Sequence, residues 1–297
     1  MVQQPGLDLE LETTDAFHAA GPLAERAAHV VRRWAAYHQL PIPACKLTVH
    51  SAPAEHCGLG TGTQLELAVA AGLSCLAGLP NQSPQDLAHS TQRGLRSAVG
   101  TYGFALGGLI VEQGKSAGET ISALDCRIDL PDAWRFVLIR PPQPAGLSGE
   151  SESAAMATLP PIPLATTERL IALVRDELVP AAAFGEFSRF AESIYEYGRE
   201  SGQCFAARQG GSYNGPVLTR LVQSLRELGY SGVGQSSWGP TIFAVVSSLQ
   251  AANELESELR ARPQGDTLGL HIAEPCNQGA RLLVDGHDWR TATGPLP

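Results

Sequence analysis

Three glycines spaced two apart, in GLGTGT at 58–63, sit between a short β-branched run (KLTVHS, 46–51) and a long apolar stretch from about Gln64 to Leu76. Few arrangements constrain a fold more. The glycines admit backbone conformations that a side chain forbids, so successive N–H groups can converge on an anion. A helix beginning directly after them adds unpaired amides and the positive end of its dipole. Thr61 and Thr63 can donate hydroxyl hydrogen bonds to the same oxygens. No lysine follows, so this is not a Walker loop, and the spacing is not GxGxxG. The pattern reads as strand, glycine loop, helix: either a phosphate cradle or a tight turn.

Around that loop the chain is globular. Hydrophobic residues make up 43% and charged residues 17% of 297, a length for two domains, or one large one, and for a sizeable core. The net charge of −9 disfavours general binding to nucleic-acid backbones. All but two of the basic residues (Lys46 and Lys115) are arginine, which suits bidentate phosphate recognition. The six cysteines show no CxxC pair and no metal-ligand spacing, and the N-terminus is polar with no basic leader. The longest weakly polar stretch, Leu67 to Leu79, is too short to span a bilayer. A cytoplasmic chain with reduced thiols is expected, with no metal site of its own.

Alternation in residues 6–14 predicts a half-exposed strand, and Leu23, Ala27, Val30, Val31, Trp34 and Tyr37 line one stripe of a helix over 22–39. A helix over 84–95 is opened by Ser83 and Pro84. Strands are predicted near 107–112 and 134–139. The Pro-, Ser- and Gly-rich stretch 141–165 reads as the domain connection. Beyond it, helices are predicted at 166–179, 185–200, 216–228 and 249–261, with strands near 241–247 and 267–273. The fold class is α+β, in two halves.

PAEHCGLGTGT ahead of an apolar helix resembles the phosphate loop of the GHMP kinase superfamily. Four further segments narrow the resemblance: RGLRSAVGTYGFALGGLIVE (93–112), GLSGESESAA (146–155), IYEYGRESGQCFAARQGGSYNGP (194–216) and GVGQSSWGPTIFAV (232–245). Together with HCGLGTGTQLELAVA (56–70), they resemble the β-ribofuranosylaminobenzene 5′-phosphate synthases. This resemblance implies a GHMP-type N-terminal domain over 1–145, lacking its first strand, and a ferredoxin-like C-terminal domain over 160–297. It implies transfer of the ribosyl 5-phosphate of phosphoribosyl diphosphate (PRPP) to 4-aminobenzoate, with loss of CO2 and diphosphate. The product feeds methanopterin-type one-carbon cofactors. Mg2+ would travel with the diphosphate, and the family's habit is a homodimer. The family begins with a strand and turn ahead of this chain's Met1, so part of the pocket is expected to be missing.

Within the superfamily, kinases keep an Asp several residues before a Gly-Gly pair, here Gly107-Gly108. Between Asp86 and Glu112 this chain has no Asp or Glu. Arg93, Arg96, Ser97 and Thr101 stand there instead, which suits charge developing on a departing diphosphate. An ATP-dependent small-molecule kinase and an idle GHMP-fold binding protein are the alternatives. The expected phosphate-binding residues are Gly58, Gly60, Thr61, Gly62, Thr63, Arg93, Arg96 and Ser97, with Arg93 and Arg96 sharing a helix face. His56 and Arg96 are the catalytic candidates. Arg208, Gln209, Ser212, Gln235, Ser236, Ser237 and Trp238 are the candidates for the aromatic acid or ribose. Glu152 reads as a solvated residue of the connection.

Overall fold

A computed structural model describes residues 1–79, 82–116, 118–143 and 158–288. The segment 146–155, with Glu152, lies outside the described residues. Strand β1 (Asp8–Thr13) alternates half-buried Leu9 and Leu11 with exposed acids. Strand β2 (His18–Ala20) follows, then helix α1 (Ala24–His38) and strand β3 (Cys45–Ser51). β3 is the middle strand, antiparallel to β1 with Leu11 opposite Leu47, and parallel to β2. The α1 stripe buries Ala27, Val30, Val31 and Trp34 as predicted, while Tyr37 stays half exposed. Helix α2 (Thr61–Leu76) is apolar on nearly every side and is buried accordingly. Trp34 Nε1 donates to Ser74 Oγ of α2 at 3.2 Å.

Helix α3 (Pro84–Thr91) opens with the expected Ser83, in a full capping box with Asp86. It stops at Gln92 in the left-handed region, four residues sooner than the predicted end. Arg93 and Arg96 therefore lie in an irregular connection and share no helix face. Helix α4 (Val99–Leu106) and strands β4 (Leu109–Glu112) and β5 (Leu124–Ile128) follow, β4 and β5 pairing antiparallel. The periodicity reading missed α4 and β5.

Strand β6 (Arg135–Arg140) lies ahead of the Pro-rich connection. Helix α5 (Leu164–Ala172) then runs through a π turn (Leu173–Leu178) into α6 (Val179–Phe184). Pro180 lacks a donor and crowds the preceding turn, which is where such a π turn forms. Helices α7 (Phe187–Gln203), α8 (Ala206–Gln209) and α9 (Gly215–Glu227) lead to strands β7 (Gly232–Gln235) and β8 (Ile242–Val246). Helix α10 (Leu249–Arg260) and strand β9 (Gly269–Ala273) complete a four-stranded antiparallel sheet in the order β7-β8-β6-β9.

That order, with helices after β6 and β8, is the ferredoxin-like split βαβ arrangement. Its core joins Val137 and Ile139 of β6 to Leu218, Val222 and Leu225 of α9 and Leu255 and Leu259 of α10. The sheet thus takes its first strand from ahead of the connection, and a partition at 145 and 160 separates β6 from both its partners. After β9 the chain returns to the first half, where Ala280 N donates to Phe104 O at 2.6 Å and Asn277 brackets Leu130 through both backbone groups. Among the described residues, no helix is long and apolar enough to cross a membrane.

Candidate active site

The glycine loop runs from the end of β3 into α2 and is tied to itself through one carbonyl. Ala54 O accepts from Thr61 Oγ1 at 3.1 Å and from Cys57 Sγ at 2.8 Å. The Thr61 hydroxyl proton is therefore spent inside the loop. His56 is exposed and, like Gly58 and Gly60, has positive φ. The three glycines do three different jobs. A Cβ at Gly58 would overlap the Ser236 carbonyl. A Cβ on Gly62, which lies within the helix, would overlap the Arg26 guanidinium, so a Gly62→Val change disturbs more than the loop. Only Gly60, the N-cap of α2 at φ 71°, meets no described atom within 4 Å. Among the described residues no side chain caps α2 and no acid lies in its first turn, so no side chain offsets the positive end of its dipole there. Thr63 packs beside Gly100 at the start of α4, where Gln64 Nε2 donates to Gly100 O at 3.1 Å.

Beneath the loop lies a charge cluster that the sequence reading missed. Glu66, 2% exposed, accepts from three arginines. Arg26 reaches it through Nε at 3.3 Å and Nη2 at 2.9 Å, and Arg33 through Nη2 at 3.1 Å. Arg93 is bidentate, through Nε at 2.8 Å and through Nη2. Arg26 also pairs with Glu55. Burial alone would raise the Glu66 pKa; hydrogen bonding and charge from Arg93, then from Arg26 and Arg33, outweigh it and hold the carboxyl below its usual range. The Arg93 fork, expected as a phosphate clamp, is engaged with this acid 27 positions earlier. The signal was present: Glu66 is the sole charged residue between Glu55 and Asp86. A lone charge on an apolar helix must find partners.

Arg96 and Ser97 are exposed, in the connection leading to α4. Ser97 Oγ accepts from Val99 N at 3.3 Å. The acid absent from 87–111 is supplied from beyond it, since Glu112 Oε2 accepts from Ala98 N at 2.6 Å.

From the second half, the turn after β7 docks on the glycine loop. Ser236 Oγ donates to Gly58 O at 2.7 Å across 178 residues of sequence. Ser237 is exposed, with φ 53°. Gln235 supports the turn from within: its Oε1 accepts from Asn214 N at 2.7 Å and its Nε2 donates to Ser237 O at 2.8 Å. Trp238 is buried edge-on against Phe205 at 5.3 Å, its carbonyl accepting from Asn214 Nδ2. Gln209 is buried, and its Nε2 serves the carbonyls of Gly202 and Ser212. Ser212 Oγ donates to Gln203 Oε1 at 3.1 Å, and the exposed Arg208 donates to Thr158 Oγ1. Gln209, Gln235 and Trp238 thus form the frame of the turn, while Ser236 and Ser237 form its outer edge. Among the described residues, no three His, Cys, Asp or Glu side chains stand where they could hold a metal ion.

An uncapped glycine loop on an α+β half, met by a turn from a ferredoxin-like half, is the architecture of the GHMP kinase fold. Residues 178–264 match the GHMP kinases C-terminal family. Homoserine kinase from Cytophaga hutchinsonii superposes with a TM-score of 0.66 over 94% of this chain and 89% of its own, at 15% identity. Leishmania major mevalonate kinase does so with a TM-score of 0.59 over 90% and 85%, at 16% identity. The chain therefore has the GHMP kinase fold.

Within it, the sequence is similar to β-ribofuranosylphenol 5′-phosphate synthases. The Methanothermobacter thermautotrophicus protein is 31% identical over 67% of this chain and 62% of its own length. The Archaeoglobus fulgidus protein is 32% identical over 69% and 65%. The chain thus spans just under two thirds of these relatives. The resemblance drawn from the five sequence segments is borne out, with a phenol in the relatives' name where that resemblance carried an aminobenzene.

Proposed function

We propose that this protein transfers the ribosyl 5-phosphate of PRPP to the ring carbon of 4-aminobenzoate that bears the carboxylate, releasing diphosphate and CO2. The observation that carries this reading is the docking of the QSSWG turn on the glycine loop through Ser236 and Gly58. It puts a glycine-framed, aromatic-bearing turn against an uncapped helix N-terminus, as a substrate with a phosphate end and an aromatic partner requires.

Departure of diphosphate leaves an oxocarbenium-like ribose while negative charge grows on the leaving oxygens. The α2 amides and the arginines beside them stabilise that charge. The electron-rich ring attacks once it is held near C1, and this step needs no strong base. Loss of CO2 restores aromaticity. Mg2+ arrives as the counter-ion of the diphosphate and belongs to the substrate. Arg96 and His56, both exposed, are the proposed contacts to the reacting groups, and Ser237 is the proposed contact to ribose or ring. The relatives' name supports a second acceptor of the same shape, 4-hydroxybenzoate.

The test is release of CO2 from carboxyl-labelled 4-aminobenzoate and, separately, 4-hydroxybenzoate, with PRPP and Mg2+, using ATP in place of PRPP as the control. PRPP-dependent release with either acid supports phosphoribosyl transfer, and the faster acid names the acceptor. ATP-dependent phosphorylation of a small alcohol, with no release from PRPP, would overturn the reading in favour of a kinase.

A further inference from the structure

The cluster around Glu66 holds more positive charge than its acids neutralise. Arg26, Arg33 and Arg93 face Glu66 and Glu55, three positive charges against two negative, so one positive charge remains among these five side chains. A buried acid needs partners, but one carboxylate does not need three guanidinia. Nor are the arginines sealed away, since their side chains are 28%, 32% and 27% exposed. The Arg26 guanidinium lies where a Cβ of Gly62 would be, against the first turn of α2. Through Arg26 the cluster therefore adjoins the uncapped end of the helix.

We propose that Arg26, Arg33 and Arg93, gathered and oriented by Glu66, form a second anion subsite continuous with the α2 N-terminus, so that the site takes a diphosphate rather than a single phosphate. Glu66 holds Arg26 and Arg93 through their Nε–Nη2 edges and Arg33 through Nη2, and Glu55 takes Arg26 Nη1, which leaves Nη1 of Arg33 and of Arg93 for phosphate oxygens. The two centres, helix amides and arginine array, suit two linked phosphoryl groups. The proposal rests on the phosphoribosyl reading only for the identity of the natural ligand.

Arg33 is the arginine to change, because it makes a single bond to Glu66 and is the most exposed of the three. Calorimetric titration of the intact protein with inorganic diphosphate and with orthophosphate compares wild type, Arg33→Gln and Arg33→Lys. Losing one charge-assisted contact should weaken diphosphate binding by about tenfold in Arg33→Gln, with orthophosphate nearly unchanged and Arg33→Lys in between. Equal affinities in wild type and Arg33→Gln, or an equal loss for both anions, would overturn the subsite.

A measurement that needs no variant runs alongside. Saturating diphosphate should shield Arg26, Arg33 and Arg93 of the wild type from phenylglyoxal, read by peptide mass spectrometry. Unchanged labelling at all three would also overturn the subsite. PRPP-dependent CO2 release together with Arg33-independent diphosphate binding removes the subsite and leaves the proposed function. Arg33-dependent binding without turnover does the reverse.

Discussion

At Gly58 a methyl group would have to share space with the Ser236 carbonyl, whereas at Gly60 it would point into the open. Both residues have positive φ, so an alanine at either costs roughly 1–2 kcal/mol of backbone strain. Gly58→Ala must in addition push back a main-chain segment, worth about 1–3 kcal/mol more. Thermal melts should therefore place Gly58→Ala clearly below Gly60→Ala; equal melting temperatures would mean that the turn does not rest on the loop. Glu66 makes a prediction about pH. Its folded pKa is depressed, so its contribution is complete above the ordinary carboxylate value of about 4.3 and is lost as pH falls through the lower folded value. Urea unfolding between pH 7 and 3 should show stability falling over that acid limb, with a shallower fall in Glu66→Gln. Parallel curves for the two proteins would remove Glu66 as the cause.

Among the elements, those whose signals are local were legible. Helix α3 begins where Ser83, Pro84 and Asp86 place it, and Ser83→Ala is expected to cost about 1 kcal/mol, read as a lower urea midpoint. Its end was not legible, because Gln92 in the left-handed region carries no glycine to mark it. Helix α4 was missed because VGTYGFAL mixes glycine and β-branched residues and offers no polar face. Strand β7 was missed because GVGQ is too glycine-rich to read as a strand; it is held by β8 on one edge and packed by Ala191 of α7 where Gly232 has no side chain. These elements take their conformation from neighbours distant in sequence.

For the molecule as a whole, the two halves are interleaved at β6. A fragment beginning at Thr158 would lack the strand that separates β8 from β9, leaving Val137 and Ile139 absent from the core. That fragment is expected to remain unfolded by circular dichroism, while one beginning at Asp132 should recover sheet structure. A folded fragment from Thr158 would show that the second half does not need β6. The Pro-rich stretch marks where the chain can loop, since composition sets local stiffness, but not which sheet its flanking strands join.

The amino-acid sequence by itself determined the strand–glycine loop–helix unit, the stripe of α1, the start of α3 and the resemblance to the GHMP kinase fold. Each depends on residue type and short spacing, through backbone freedom, period and capping. Only the tertiary structure decided what each polar residue is for. It spent the Thr61 hydroxyl within the loop and turned Arg93 onto Glu66. It made Gln209, Gln235 and Trp238 the frame of a turn whose Ser236 meets Gly58. The physical reason is that a buried donor or acceptor must be satisfied by whatever the fold brings near it. That partner can stand 27 or 178 residues away, where spacing carries no signal.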